Sequence, residues 1–186
     1  MLLRHSVIYL FARGVPGIIG FITIIIYTRL LSPEAYGQYA LVLTGSIIIN
    51  AILYQWISAA LLRFLPQYRD KPSELLSTIL QGFILVSFLT GAAGLLMAVV
   101  WKGSVWCNLI VVGILLTWAQ AWFSINLELV RSRLAPLRYG LISLSKAILA
   151  LVLGGALIIL GLNSYGAIVG LLLAYLVSGL WASWWQ

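Results

Sequence analysis

Apolar stretches too long for the core of a water-soluble domain recur six times along this chain, parted by short polar interruptions, over about 6–31, 39–62, 75–100, 105–130, 137–160 and 165–185. Crossing the hydrocarbon of a bilayer takes ~20 predominantly apolar residues in a helix. Each stretch reaches that length. All exceed the ~9–11 residues of a membrane β-strand and lack its strict alternation. The pattern predicts an all-α polytopic membrane protein, one six-helix transmembrane bundle occupying residues 1–186 with no sizeable aqueous domain.

Composition points the same way. Of 186 residues, 63% are hydrophobic and only 8% charged, against about 25% charged in soluble domains. Too few polar side chains exist to cover a soluble globule. This excludes a soluble enzyme, a nucleic-acid-binding domain and a disordered tail. The net charge of +7 would suggest nucleic acid in a soluble protein. Here the charges punctuate apolar runs, so they read as topology signals and no nucleic-acid partner is expected.

Arg4 and His5 ahead of an apolar run could open a signal peptide. The run continues to Leu31 without a small-residue cleavage site, so it is read as an uncleaved first helix. Ser32-Pro33-Glu34 is a turn and helix start, and Ser73 is a candidate N-cap after the polar loop Pro66–Glu74. Gly161-Leu162-Asn163-Ser164 breaks the last two segments apart.

Basic residues stay on the cytoplasmic side of a membrane. With six spans, one side collects Arg4, Arg63, Arg69, Lys71, Arg131, Arg133 and Arg138, and the other only Arg29 and Lys102. Both termini are therefore expected in the cytoplasm. Trp101 and Trp106 at one end, and Trp181, Trp184 and Trp185 at the other, fit interfacial aromatic belts. Trp56 and Trp118 carry no such signal.

Cys107 and His5 are the only residues of their types. No intrachain disulfide or Cys/His metal cluster can be built, and no cofactor is expected. Ionisable groups inside hydrocarbon default to functional candidates. Two cations lie clearly inside spans, Arg13 and Lys146. Either their long stems snorkel to the headgroups, or they line a basic, watered cavity that accepts an anion, most naturally a phosphate. The carboxylates Glu34, Asp70, Glu74 and Glu128 all lie in loops or at helix ends. That argues against a proton- or sodium-coupled antiporter and against acid/base enzymes.

Ser46, Asn50, Tyr54 and Ser58 recur every four residues on one face of the second segment. Thr117, Gln120, Ser124 and Glu128 form a stripe on the fourth. Such stripes either line a cavity or glue helices together by hydrogen bonds. Gly14/Gly17/Gly20 and Gly166/Gly170 permit close helix packing. Pro16 removes a backbone hydrogen bond and can bend the first helix near Arg13.

The stretch Leu3-Arg4-His5-Ser6 to Arg13, then Thr28-Arg29-Leu30-Leu31-Ser32-Pro33-Glu34-Ala35-Tyr36-Gly37-Gln38-Tyr39-Ala40, with Arg63-Phe64 closing the second segment, resembles the N-terminus of polysaccharide biosynthesis proteins. These are the Wzx-like O-antigen and exopolysaccharide flippases of the multidrug/oligosaccharidyl-lipid/polysaccharide exporter superfamily. The resemblance implies translocation of an undecaprenyl-diphosphate-linked glycan across the cytoplasmic membrane by alternating access between two lobes. Members carry around twelve to fourteen helices in two repeats. The chain thus corresponds to the N-terminal lobe, as a fragment, a truncated frame or a half-size protein that must pair. The implied roles are diphosphate neutralisation by Arg13, Lys146 and Arg63, and sugar contacts by Asn50, Tyr54 and Gln120. Expected partners are the lipid-linked oligosaccharide, membrane lipids, and a second lobe or glycan-assembly proteins. Two alternatives stand beside this: a multidrug antiporter lobe of the same superfamily, and a non-transporting scaffold of a glycan-assembly complex. A membrane glycosyltransferase is disfavoured, since neither a D-x-D motif nor a His/Glu pair is present.

Overall fold

The computed structural model describes residues 2–68, 72–132 and 135–184, with side chains from Gly14 onward and Pro72 excepted. The helices are α1 (Leu2–Leu30), α2 (Pro33–Leu53), α3 (Gln55–Phe64), α4 (Pro72–Val100), α5 (Val105–Ser132), α6 (Pro136–Leu157) and α7 (Asn163–Trp184), with a π-helical turn at Ile158–Leu162 between the last two. No strand occurs among the described residues. Four helical runs are long and apolar enough to cross a membrane: Pro33–Leu53, Ser73–Val100, Val105–Ser132 and Pro136–Trp184. The last is a hairpin, because the chain turns where Gly161 takes φ 90° and Asn163 φ 48°. The described part of the first helix, Gly14–Leu30, is a shorter apolar helix. These are the helices of a multi-pass membrane protein.

Local chemistry sets the boundaries. Ser32 is extended and its Oγ accepts the Ala35 N–H at 3.2 Å, with Pro33 in the first turn. This is an N-cap followed by the one helical position where proline costs nothing. Pro136 likewise opens α6, there behind Ala135, which makes no side-chain cap. Ser73 is not the cap of α4: the helix begins at Pro72, which puts Ser73 inside the first turn, again because proline suits the first helical position. The second apolar stretch is not one helix. It is interrupted at Tyr54, whose φ of −117° departs from helical values.

α5 is the central strut. It packs against α7, α2, α4 and α3, and α2 also reaches α7. α6 lies along α7, and α1 lies along α6 while scarcely touching α2. Two cores result. One joins Tyr27, Tyr39, Leu109, Leu116, Phe123, Ile168 and Ala174; the other joins Tyr54, Ile57, Leu61, Ile79, Ile125 and Leu129. The α6–α7 contact is tight because α7 presents Gly166, Ala167, Gly170, Ala174 and Ser178 on its buried face. A Cβ on Gly170 would run into the backbone of Gly154, and one on Gly166 would come within 2.8 Å of the Leu157 carbonyl carbon. The close packing expected of Gly166/Gly170 is therefore present. That expected of Gly14/Gly17/Gly20 is not, since a Cβ on any of these meets nothing within 4 Å. Among the described residues, no helix packs against their face of α1.

Three turns gather at one end of the bundle. Ser164 donates to Gln38 Oε1 at 2.8 Å, and the Tyr165 hydroxyl donates to the Val105 carbonyl at 3.2 Å. These bonds tie the α6–α7 turn to the starts of α2 and α5. The Ser32–Tyr39 motif thus has a visible role. Tyr39 packs edge-on against Tyr27 at 5.5 Å, and Tyr27 donates to the Ala150 carbonyl at 2.7 Å. The motif fastens the α1–α2 turn onto the α6–α7 hairpin.

Candidate functional site

A polar path crosses the apolar bundle at mid-helix depth. Asn50 on α2 donates from Nδ2 to the Thr117 carbonyl at 2.9 Å and to Gln120 Oε1 at 3.4 Å. Gln120 on α5 donates from Nε2 to the Tyr175 hydroxyl on α7 at 3.4 Å. The Tyr175 ring carries Lys146 Nζ of α6 5.2 Å from its centroid, and its other neighbour is Phe123, edge-on at 5.4 Å. Three expected site residues, Asn50, Gln120 and Lys146, are therefore joined through a fourth, Tyr175.

Lys146 lies roughly 15 Å along α6 from Pro136, at ~1.5 Å per residue. No carboxylate pairs with it among the described residues. Its ammonium has three donors and, among the described residues, no acceptor beyond the ring face. An exposed cation–π contact stabilises by ~0.5–1 kcal/mol, and about 2 kcal/mol when desolvated.

Tyr54 goes elsewhere. It is 2% exposed at the α2–α3 interruption, and its hydroxyl lies 3.1 Å from Ser87 Oγ and 3.0 Å from Thr90 Oγ1 on α4. Trp118 Nε1 donates to the same Thr90 hydroxyl at 3.0 Å. This knot locks α4 and α5 to the break. Ser46 likewise donates to the Gly113 carbonyl at 3.3 Å. The upper part of both stripes is thus interhelical bonding, worth on average about 0.6 kcal/mol per bond within a membrane.

The lower part faces open space. Asn50, Ala51, Tyr54, Gln55, Ser58, Ala121, Ser124 and Glu128 line a groove of about 270 Å³ between α2–α3 and α5. Glu128, placed by its sequence position at a helix end, also lines this groove. Arg131 Nη1 stands 3.4 Å from it.

Arg63 is exposed near the end of α3, its guanidinium 5.7 Å from the Phe64 ring centroid. It is not part of the polar path. Arg13 lies in α1, but its side chain, like those of Arg4 and His5, is outside the described residues, as are Arg69, Asp70, Lys71, Arg133 and Trp185. Helix α1 runs through Pro16 without interruption. Four participants were not anticipated: Tyr175, Ser87, Thr90 and Trp118. A tyrosine one helical hairpin away from an intramembrane lysine was the only signal available for Tyr175.

No protein-family model matches the sequence, and comparison with curated proteins and with solved structures found no match. The flippase resemblance therefore rests on the residues quoted for it.

Proposed function

We propose that this chain is a lobe of a flippase for lipid-linked oligosaccharides of the undecaprenyl diphosphate type in the cytoplasmic membrane, with Lys146 as its phosphate contact. One observation carries the reading: an ammonium at mid-helix depth that touches a tyrosine face and, among the described residues, no carboxylate. A polyprenyl diphosphate crossing hydrocarbon needs such a cation, and the cation needs an anion. The amide groups of Asn50 and Gln120, on the same path, supply the planar hydrogen-bonding chemistry that sugar hydroxyls take. The Thr28–Ala40 motif supports the family, and the gathering of three turns at one end supports a topology with both termini on the opposite side, read as cytoplasmic from the basic residues. Arg13 is proposed as a second cation on the same grounds as before. Arg63, exposed at a helix end, is proposed only for the first capture of the headgroup.

The test is surface-glycan export in cells that depend on this protein. Lys146→Met is expected to abolish export at normal membrane level, with Lys146→Arg retaining part of it. Full export by Lys146→Met would overturn the reading and favour the scaffold alternative, for which Lys146 and Arg13 are dispensable.

Glu128 in the groove is the observation that favours a multidrug antiporter lobe. Under that reading Glu128→Gln removes drug resistance, whereas a glycan flippase centred on Lys146 keeps its export.

A further inference from the structure

α2 and α4 scarcely touch, although α3 and α4 pack together. The interruption at Tyr54 is the reason. Beyond it, Ile57 and Leu61 of α3 meet Leu75 and Ile79 of α4 in a closed core. Before it, α2 diverges from α4, and the two form a V over α5. The space between them is a cleft of about 410 Å³ whose lining includes Leu41, Gly45 and Ile49 of α2, Met97 of α4, and Ile110 and Ile114 of α5. Its size falls within the range of roughly 300–1,000 Å³ usual for small-molecule sites.

We infer that this cleft is a seat for one hydrocarbon chain of a bilayer phospholipid, held specifically rather than as bulk lipid. Three observations select that occupant. The lining is almost wholly apolar, and the few polar atoms near its floor, such as Thr90 Oγ1 and Thr117 Oγ1, are already hydrogen-bonded to the protein. Water has little to bind there. From Trp106 to Thr117 the floor covers roughly 17 Å, at ~1.5 Å per residue. That matches half of the ~30 Å hydrocarbon thickness, so an extended chain from one leaflet lies along it. Finally, the arms bearing Met97 and Trp106 are joined by a turn carrying Lys102, exposed and cationic, which suits the phosphate of an anionic headgroup. The inference requires a membrane around the bundle and not the flippase reading.

Gly45 provides the probe. It lines the cleft, and a Cβ there meets nothing within 4 Å, so Gly45→Phe starts its side chain into open space and is the variant chosen to fill the cleft. Gly37, equally open and outside the cleft, is the control. The full chain is placed in nanodiscs of phosphatidylethanolamine and phosphatidylglycerol that carry a diazirine on one acyl chain. After photolysis the adducts are mapped by peptide mass spectrometry. Adducts on Met97, Ile110 and Ile114 should exceed those on the outward-facing Leu85 and Phe88. Gly45→Phe should lower the cleft adducts about tenfold, as loss of ~1.4 kcal/mol of binding would, and leave Leu85 and Phe88 unchanged. Gly37→Phe should change neither, and Lys102→Gln should remove any preference for phosphatidylglycerol. Uniform labelling of cleft and outer faces, or cleft labelling indifferent to Gly45→Phe, would overturn the inference. So would conversion of a dimer to a monomer by Gly45→Phe, which would make the cleft a contact between copies.

Discussion

Lys146 Nζ stands 5.2 Å from the centroid of the Tyr175 ring, and the Tyr175 hydroxyl accepts from Gln120. One side chain thus couples the bundle's half-buried cation to its amide path. The two roles separate by mutation. Tyr175→Phe keeps the ring under the ammonium and deletes the Gln120 bond, for an expected loss of about 0.6 kcal/mol. Tyr175→Leu also deletes the ring face, and the loss should rise by ~0.5–2 kcal/mol. Unfolding of the purified protein by SDS titration in mixed micelles measures both.

The hairpin of α6 and α7 depends on glycine where backbones meet. Gly170→Ala pushes a methyl into the Gly154 backbone, while Gly155→Ala enters open space. The first should destabilise by about 1–3 kcal/mol, the usual cost of overpacking. The second should be neutral or slightly stabilising, because alanine is the better helix former. Equal thermal midpoints for the two variants would refute the packing.

The turn after α6 holds a non-glycine residue at positive φ, Asn163 at φ 48° and ψ −131°. Asn163→Gly should stabilise by ~1 kcal/mol, since glycine adopts that conformation without strain. Gly161→Ala, at φ 90°, should do the reverse. Thermal unfolding followed by intrinsic fluorescence distinguishes them.

Topology is open to labelling. In a Cys107→Ser background, cysteines at Ser32, Lys102 and Leu162 should react with an impermeant maleimide from the same side, as their turns cluster at one end. A cysteine at Ser73 should react from the opposite side, which the basic residues assign to the cytoplasm. Labelling of the Ser73 position from outside intact cells would reverse the assignment.

The apolar stretches were legible because span length is a hard constraint; α5, expected over 105–130, is Val105–Ser132. The Tyr54 interruption was not. It falls inside an apolar run with no proline or glycine nearer to it than Gly45, and it is held by Ser87 and Thr90, far off in sequence. The stripe of Ser46, Asn50 and Tyr54 was visible, but periodicity cannot say whether a stripe meets a carbonyl or a cavity. Here it meets both. Gly14, Gly17 and Gly20 misled for a related reason: small residues permit an approach without naming the helix that makes it. Asn50, Gln120 and Lys146 were each legible as polar groups in hydrocarbon. Their connection was not, because it runs through Tyr175, an ordinary residue on an apolar helix.

The central claim is that Lys146 receives the phosphate of a polyprenyl diphosphate. Equilibrium binding of undecaprenyl diphosphate and of undecaprenol to the purified full chain in nanodiscs tests it most directly. The account predicts that the diphosphate binds at least about tenfold more tightly than the alcohol, a difference of ~1.4 kcal/mol, and that Lys146→Met abolishes this margin while leaving undecaprenol binding unchanged. An undiminished margin in Lys146→Met would contradict it.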